Sequence, residues 1–557
     1  MSVMAIPAST TEIFSTAFEA FQNIAIAYPD NMFLCVPEGS EKDKRSHTSF
    51  SEYTYGESLQ RILKLRGLFK ESGVGHGHRV ALLLGNRADY YFCLLALNSV
   101  GAWAVPINPE SSVEEMAYQI LHSDVELGIT INAYLENLEL AGRKSASKFS
   151  TYDIKNMPGR LTAPQQLMAA GKPGLESIST VLYTSGTTGK PKGCLISNET
   201  FLSTGAWYLS RKGHQSLLFG RDRLFNPLPA HHMNAGVISL MAMVLSANCL
   251  VQWDHFHPKS WWRDVAETNS TIIHYMGLIP PVLVKQEAST YEEKHKIRFG
   301  LGAGCDPDIH VAFEKRFKFP LIEVWGMTET GRTISNSIEP RHIHTRAFGK
   351  ARDGLEVMIA DDDGQALPVD TPGNFLVRFS GADPRKGFFS GYLNDKEATE
   401  QAWRGGWLNT GDICRQDSDG MLYFVDRKKN IIRRSGENIA AAEVEAAIAG
   451  HSSVRTVACL PVPDSMRDEE VMACIVLQPD TKADQATAAS IFSYCSESLA
   501  YFKTPGWIVF RKKLPTTQTS KIRKSQIFEP DEEPTNTLLT FDFRSFKRPK
   551  RKMGEHS

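Results

Sequence analysis

The chain has 557 residues, of which 42% are hydrophobic and 22% charged, and its formal net charge is −1. That length exceeds one ordinary domain and supplies ample core, so a large domain plus at least one smaller one is expected. The near-zero charge excludes a general pull toward nucleic acid or an anionic membrane, and nine cysteines without a C-x-x-C pair argue for a reduced, cytoplasmic setting over a zinc site or disulfide framework.

In chain order, Phe14, Phe18, Phe21 and Ile24 follow helical spacing and predict an amphipathic opening helix. No basic-then-apolar leader is legible there, because Glu12 and Glu19 interrupt it. Val80 to Leu84 reads as a buried strand, Asp89 to Val100 as a helix and Ala102 to Ile107 as a strand. Ser111-Ser112-Val113-Glu114 fits a capping box opening a helix that ends near Ser123, before a strand from Val125 to Ile131. Strand-helix-strand with short joins implies a mostly parallel sheet covered by helices.

Met233 to Trp253 carries no charged residue, yet Asn234, Ser239, Ser246, Asn248 and Gln252 mark it as a buried core helix and strand, with no transmembrane segment. From Ala351 to Phe379, short runs broken by Asp361-Asp362-Asp363-Gly364 and Thr371-Pro372-Gly373 predict hairpins, as in a small β-barrel or distorted sheet. After Arg427-Lys428-Lys429 a compact mixed region follows. It has helices at Glu443 to Ala449 and Ala488 to Leu499, and strands at Val454 to Pro461 and Val471 to Leu477. The expected division is therefore residues 1–426, a smaller mobile α+β domain at 427–530, and a polar, basic, disordered tail at 531–557.

The stretch Tyr183-Thr184-Ser185-Gly186-Thr187-Thr188-Gly189-Lys190-Pro191-Lys192-Gly193 carries the most chemistry. Its glycines let backbone amides approach a phosphate chain, its hydroxyls add donors and its lysines neutralise charge. The spacing is not the Walker type, since no glycine stands five positions before Gly189. Five further motifs follow: Pro227-Leu228-Pro229-Ala230-His231-His232-Met233, Gly300-Leu301-Gly302-Ala303-Gly304-Cys305, Val324-Trp325-Gly326-Met327-Thr328-Glu329-Thr330, Gly406-Trp407-Leu408-Asn409-Thr410-Gly411-Asp412, and Phe424-Val425-Asp426-Arg427-Lys428-Lys429-Asn430. Near the end comes Pro515-Thr516-Thr517-Gln518-Thr519-Ser520-Lys521.

In kind and order these motifs resemble those of the adenylate-forming superfamily: acyl-CoA ligases, luciferases and peptide-synthetase adenylation domains. The wording around Arg427-Lys428-Lys429-Asn430 and Arg434-Ser435-Gly436-Glu437-Asn438 is most similar to the carnitine/crotonobetaine-CoA ligase group. The resemblance implies a large α/β domain of parallel sheets with a small β-barrel-like part and a mobile C-terminal lid. Its implied activity is an ATP-dependent acid–thiol ligase using Mg²⁺ and CoA on a small carboxylic acid.

By the same resemblance, Thr184, Ser185, Gly186, Thr187, Thr188, Gly189 and Lys192 cradle phosphates. Gly302, Ala303, Gly304, Trp325, Gly326 and Met327 surround the adenine, and Thr328 bonds the α-phosphate. Glu329 holds the metal, while Asp412 and Arg427 hold the ribose. His231 and His232 flank the acid, Gly436 leaves room for pantetheine, Lys429 is the hinge and Lys521 stabilises charge as carboxylate and α-phosphate meet. Two departures stand out: Ser520 replaces a common glycine, and Cys305-Asp306-Pro307 delays a proline. A carrier-protein pantetheine or oxygen as acceptor, and a degenerate nucleotide sensor, are the rival readings. The retained Glu329, Asp412 and Lys521 weigh against the sensor. The oligomeric state is left open, a homodimer being compatible.

Overall fold

The strand Arg79–Leu83 is buried over its last four residues, and Trp103–Pro106 and Leu127–Thr130 run parallel to it on either side. Strands covered on both faces read as unbroken apolar runs, which is what this stretch shows. The computed structural model describes residues 13–548 except 39–48, 147, 185–189, 278, 353, 428–430, 436, 516–521, 523, 525–526 and 530. Two compact units divide the chain. Residues 1–109, 119–182 and 193–428 make the first, and 110–118, 183–192 and 429–557 make the second.

The first unit contains two largely parallel sheets. In one, the order is Gly391–Tyr392, Lys192–Ser197, Ile178–Thr184, Trp103–Pro106, Arg79–Leu83, Leu127–Thr130 and Ser150–Asp153. In the other, Leu321–Trp325, Phe299–Ala303, Ile272–Met276, Arg223–Asn226, Cys249–Gln252 and Met32–Glu38 lie side by side in parallel. The short Ile334–Ser335 and the strand Ser49–Thr54 close its two edges antiparallel. The helices Ala17–Ala27, Ala88–Val100, Asn198–Leu209 and Leu240–Leu245 contribute to one large apolar core shared with strands of both sheets. The hairpins expected after Ala351 form an antiparallel sheet of six strands, from Ala347–Gly349 to Leu422–Arg427.

The uncharged stretch from Met233 folds as a π-helix at Asn234–Ser239, the helix Leu240–Leu245 and the strand Cys249–Gln252. No helix among the described residues is long and apolar enough to cross a membrane. The capping box lies one residue later than its spacing suggested: Ser112 and Glu115 exchange backbone-to-side-chain bonds of 2.7 and 3.2 Å. All nine cysteines are free and buried.

In the second unit the strands Glu437–Ala440, Ile431–Arg434, Asp468–Leu477, Trp507–Phe510 and Thr540–Asp542 are neighbours in that order, and Val454–Asp464 also pairs with Asp468–Leu477. Lys503 Nζ lies 2.7 Å from both Glu115 and Glu443. Burial, with the charge of Glu115, outweighs Lys503 and pushes the Glu443 carboxyl up to about 7. Residues 531–548, part of the tail 531–557 expected to be disordered, correct the sequence reading, while 549–557 lie outside the described residues. Thr540–Asp542 is an added antiparallel strand and Lys547 is buried, because alternating Thr540, Phe541, Asp542 and Phe543 find an open sheet edge to pair with.

Inside the first unit His274 is fully enclosed. Its ring nitrogens meet Tyr208 Oη at 3.1 Å, Asn234 Oδ1 at 3.0 Å and Ser239 Oγ at 3.1 Å. Burial pulls its pKa down to about 3. The folded chain therefore keeps His274 neutral, while the unfolded chain takes up its proton below about 6.5. Stability is lost as pH falls through the window from about 6.5 to 3, by up to about 1.4 kcal/mol per unit. His274→Gln, which cannot titrate, should shrink the difference in unfolding free energy between pH 7 and pH 5 by about 2 kcal/mol, measured by urea denaturation.

Candidate active site

In open parallel sheets, ligands collect beyond the carboxyl ends of the strands, where loops leave the sheet and helices begin. Three of the sequence motifs leave one sheet at that end. Arg223–Asn226 leads into Pro227 to Met233, Phe299–Ala303 ends in Gly302-Ala303-Gly304, and Leu321–Trp325 runs into Gly326 to Thr330. The last two strands are adjacent, with Gly302 opposite Glu323.

Glycine is needed at Gly302, since a Cβ there would sit 2.2 Å from the Tyr275 carbonyl oxygen. At Gly304 the need is conformational, for its φ is +81°. Beneath this loop lies Glu323, which the motif reading passed over. Its buried carboxylate accepts from Tyr275 Oη at 2.6 Å, Gly304 N at 2.9 Å and Cys305 N at 3.2 Å. Burial nonetheless raises its pKa above the ordinary carboxyl value. A lone acid in the otherwise apolar Leu321-Ile322-Glu323-Val324-Trp325 was the available signal, because such a group must find donors.

Trp325 is buried, and its indole Nε1 donates to Asp412 Oδ2 at 2.8 Å. That bond joins two motifs far apart in sequence and fixes which oxygen of Asp412 faces the tryptophan. Asp412 stands on Trp407–Gln416 directly across the antiparallel ladder from Arg427, so the two expected ribose residues are backbone neighbours. Gly411 just before it has a φ of +73°, and Thr410 Oγ1 anchors the turn, donating to Phe375 O at 2.7 Å.

Glu329 lies in a short 3₁₀ turn, Thr328–Thr330, and is almost fully buried. Tyr392 Oη donates to its Oε1 at 2.9 Å. Burial and the neighbouring carboxylate push the Tyr392 phenol far above its ordinary value, so it remains a donor at any working pH. Thr330 Oγ1 meets Met327 O at 2.9 Å and Arg332 O at 2.7 Å, which keeps the turn closed and leaves Thr328 half-buried beside it.

His231 and His232 are half-buried, with ring centroids 4.3 Å apart. Their loop is held by two asparagines that no motif indicated. Asn86 receives Ala230 N at 2.7 Å and donates to Leu228 O at 3.0 Å, and Asn226 Oδ1 accepts Leu228 N at 2.9 Å. Thr184 and Lys192 end and begin the strands flanking the phosphate-loop stretch. Ser185, Gly186, Thr187, Thr188, Gly189, Lys429, Gly436 and Lys521 fall outside the described residues.

The model of the AMP-binding enzyme family matches residues 36–393, and that of the AMP-binding enzyme C-terminal domain matches residues 443–521. The chain belongs to the AMP-binding enzyme family. Among curated proteins it is similar to the crotonobetaine/carnitine–CoA ligases of Salmonella paratyphi A, 28% identical over 499 residues, and of Proteus mirabilis, 28% over 497. Each match covers 86% of this chain and 93% of the relative.

Among solved structures, o-succinylbenzoate CoA synthetase from Bacillus subtilis, bound with a product analogue, matches with a TM-score of 0.76 and 23% identity, covering 91% of this chain and 97% of the other. The amide bond synthetase McbA from Marinactinospora thermotolerans matches at 0.77 with 22% identity, covering 91% and 98%. The α/β fold with a smaller C-terminal domain is thus that of adenylate-forming enzymes.

Removing the Asp412 carboxylate takes away the acceptor for Trp325 and the group expected to hold a ribose. Hydrogen bonds to charged groups contribute about 1.5–3 kcal/mol each. Asp412→Ala should therefore weaken AMP binding by about tenfold or more in calorimetric titration, with an unchanged circular dichroism spectrum.

Proposed function

We propose that this chain is an ATP-dependent carboxylic acid–CoA ligase working through an acyl-adenylate. The observation that carries the reading is the Trp325–Asp412 bond, which joins the Trp-Gly-Met-Thr-Glu motif to the aspartate that this reading assigns to the ribose, both within the first unit. The curated relatives are CoA ligases by name, and this supports the choice of acceptor. The same names make crotonobetaine and carnitine the first acids to try.

In the first step a carboxylate oxygen attacks the α-phosphorus of ATP. A bond forms from that oxygen to phosphorus, the bond to the β-phosphate oxygen breaks, and pyrophosphate leaves. Asp412 and Arg427 hold the ribose, and the Gly302–Gly304 backbone and Trp325 border the adenine. Thr328 donates to the α-phosphate, and Lys521 offsets the negative charge of the two reacting groups. His231 and His232 border the acid. Gly186, Gly189 and the hydroxyls of Thr184, Ser185, Thr187 and Thr188 bind the departing phosphates with Lys192.

Mg²⁺ suits the site's chemistry, since Glu329 offers a hard oxygen donor oriented by Tyr392. Bound there, the ion would screen phosphate charge.

In the second step the CoA sulfur, having lost its proton to solvent, attacks the acyl carbon. A C–S bond forms, the C–O bond to AMP breaks, and AMP leaves. Lys429 serves as hinge between the two steps, and Gly436 gives the pantetheine arm passage. Residues 427–530 act as the moving part, and a cytoplasmic setting fits nine free, buried thiols.

Lys521→Ala should lower acyl-AMP formation, read as pyrophosphate release, by about 10²–10³-fold. Conversion of pre-made acyl-AMP to thioester should survive in that variant. Equal loss in both half-reactions would remove the assigned role. Gly436→Phe should show the reverse pattern, with pyrophosphate release kept and thioester formation reduced. Loss of adenylation in that variant would contradict the place given to Gly436.

A further inference from the structure

The matched C-terminal family region ends at residue 521, and described residues continue past it as far as 548. Thr540–Asp542 adds an antiparallel strand to Trp507–Phe510, with Phe541 opposite Ile508. Beyond it, Phe543 stacks on Phe492 with centroids 4.9 Å apart. Arg544 lies over the Trp507 ring at 4.3 Å and pairs with Asp464 at 3.1 Å. Among the described residues this strap runs on to Lys547, whose side chain is fully buried.

A buried ammonium is expensive unless it is paired and hydrogen-bonded. Lys547 Nζ donates to Glu470 Oε1 and, at 3.1 Å, to Phe502 O. Burial still pulls its pKa down to about 7, against the attraction of Glu470. Glu470 is itself fully buried, and its other oxygen accepts Arg434 Nε at 2.9 Å. Gly506 is what admits this carboxylate, since a Cβ there would come within 2.4 Å of Glu470 Cγ. One buried anion thus ties the end of the strap to Arg434.

Arg434 is the last residue of Ile431–Arg434 and pairs with Glu437, the first of the next strand. The link between them begins at Ser435, held at a φ of +51° with its N–H on Arg467 O at 3.0 Å. We propose that Lys547 is a positioning residue which, through Glu470 and Arg434, sets the adjoining ends of the strands Ile431–Arg434 and Glu437–Ala440 in the place that receives CoA. The proposal rests on the CoA reading above and extends it to a segment outside the matched family regions. A lysine exposed on a tail could be lost without consequence; this one closes a three-member charge chain whose far end is Arg434, at the end of its strand.

The test uses the full-length protein with CoA itself as probe and AMP present. Lys547→Met should weaken CoA binding by about tenfold in calorimetric titration, with AMP affinity within about twofold of the parent. Hydrogen exchange should quicken in peptides covering 433–440 while those covering 454–464 stay protected. If Lys547→Met does not fold, Glu470→Gln/Lys547→Met carries the same expectation, because it removes the Lys547 charge together with the Glu470 charge and leaves an amide oxygen to accept Arg434 Nε.

Unchanged CoA affinity and unchanged exchange at 433–440 would overturn the proposal. So would uniform loosening of the whole second-unit sheet with CoA and AMP affinity falling together. A parent protein that binds AMP and not CoA would overturn the CoA reading, and the strap's purpose with it. A parent that binds CoA no better than its Lys547→Met variant overturns the strap alone.

Discussion

A carboxylate placed inside a parallel sheet must be met by donors, and the donors available to Glu323 are the amides of the neighbouring loop. This one requirement fixes much of the site. By accepting Gly304 N and Cys305 N, Glu323 draws the Gly302–Cys305 loop down onto the strand end. By taking Tyr275 Oη as well, it ties that loop to the next strand over. Two residues further along its own strand, Trp325 emerges in a fixed place and reaches Asp412. The arrangement of the Gly302–Cys305 loop and Trp325 is then a consequence of where one buried carboxyl finds its hydrogen bonds, and the loops inherit their shape from the sheet.

The delayed proline has a place in the same arrangement. With Cys305 after Gly304, the chain keeps an N–H that proline would lack, and that N–H is one of the donors Glu323 uses. Pro307 instead opens the helix Pro307–Phe317, whose first turn needs no intrahelical donor there, and Asp306 caps it. The departure from the family's usual wording thus leaves the loop pinned to Glu323 through Cys305 N as well as Gly304 N.

Much of this was legible in the sequence. Unbroken apolar runs gave away the parallel strands, and glycine clusters marked loops where Gly302 and Gly304 have steric and conformational reasons to be glycine. The family was legible too, because its motifs keep their order. Partnerships across long separations were not: nothing near Trp325 names Asp412, and nothing near Ala230 names Asn86. The end of the chain misled for a plain physical reason. Basic residues usually stay solvated, so the alternation in Thr540-Phe541-Asp542-Phe543 was overshadowed, and a buried lysine is recognisable only when its carboxylate is in view.

The burial of all nine thiols has a practical corollary. Thiolate is the reactive form, and burial lifts Cys249, Cys474 and Cys495 to about 12 and the remaining thiols that shift still further from reactivity. The folded native chain is therefore nearly silent toward alkylating dyes. A single cysteine introduced at an exposed position in each unit would be the only fast-reacting pair, and a distance-sensitive label placed there would report directly on whether the distance between the two units changes during turnover.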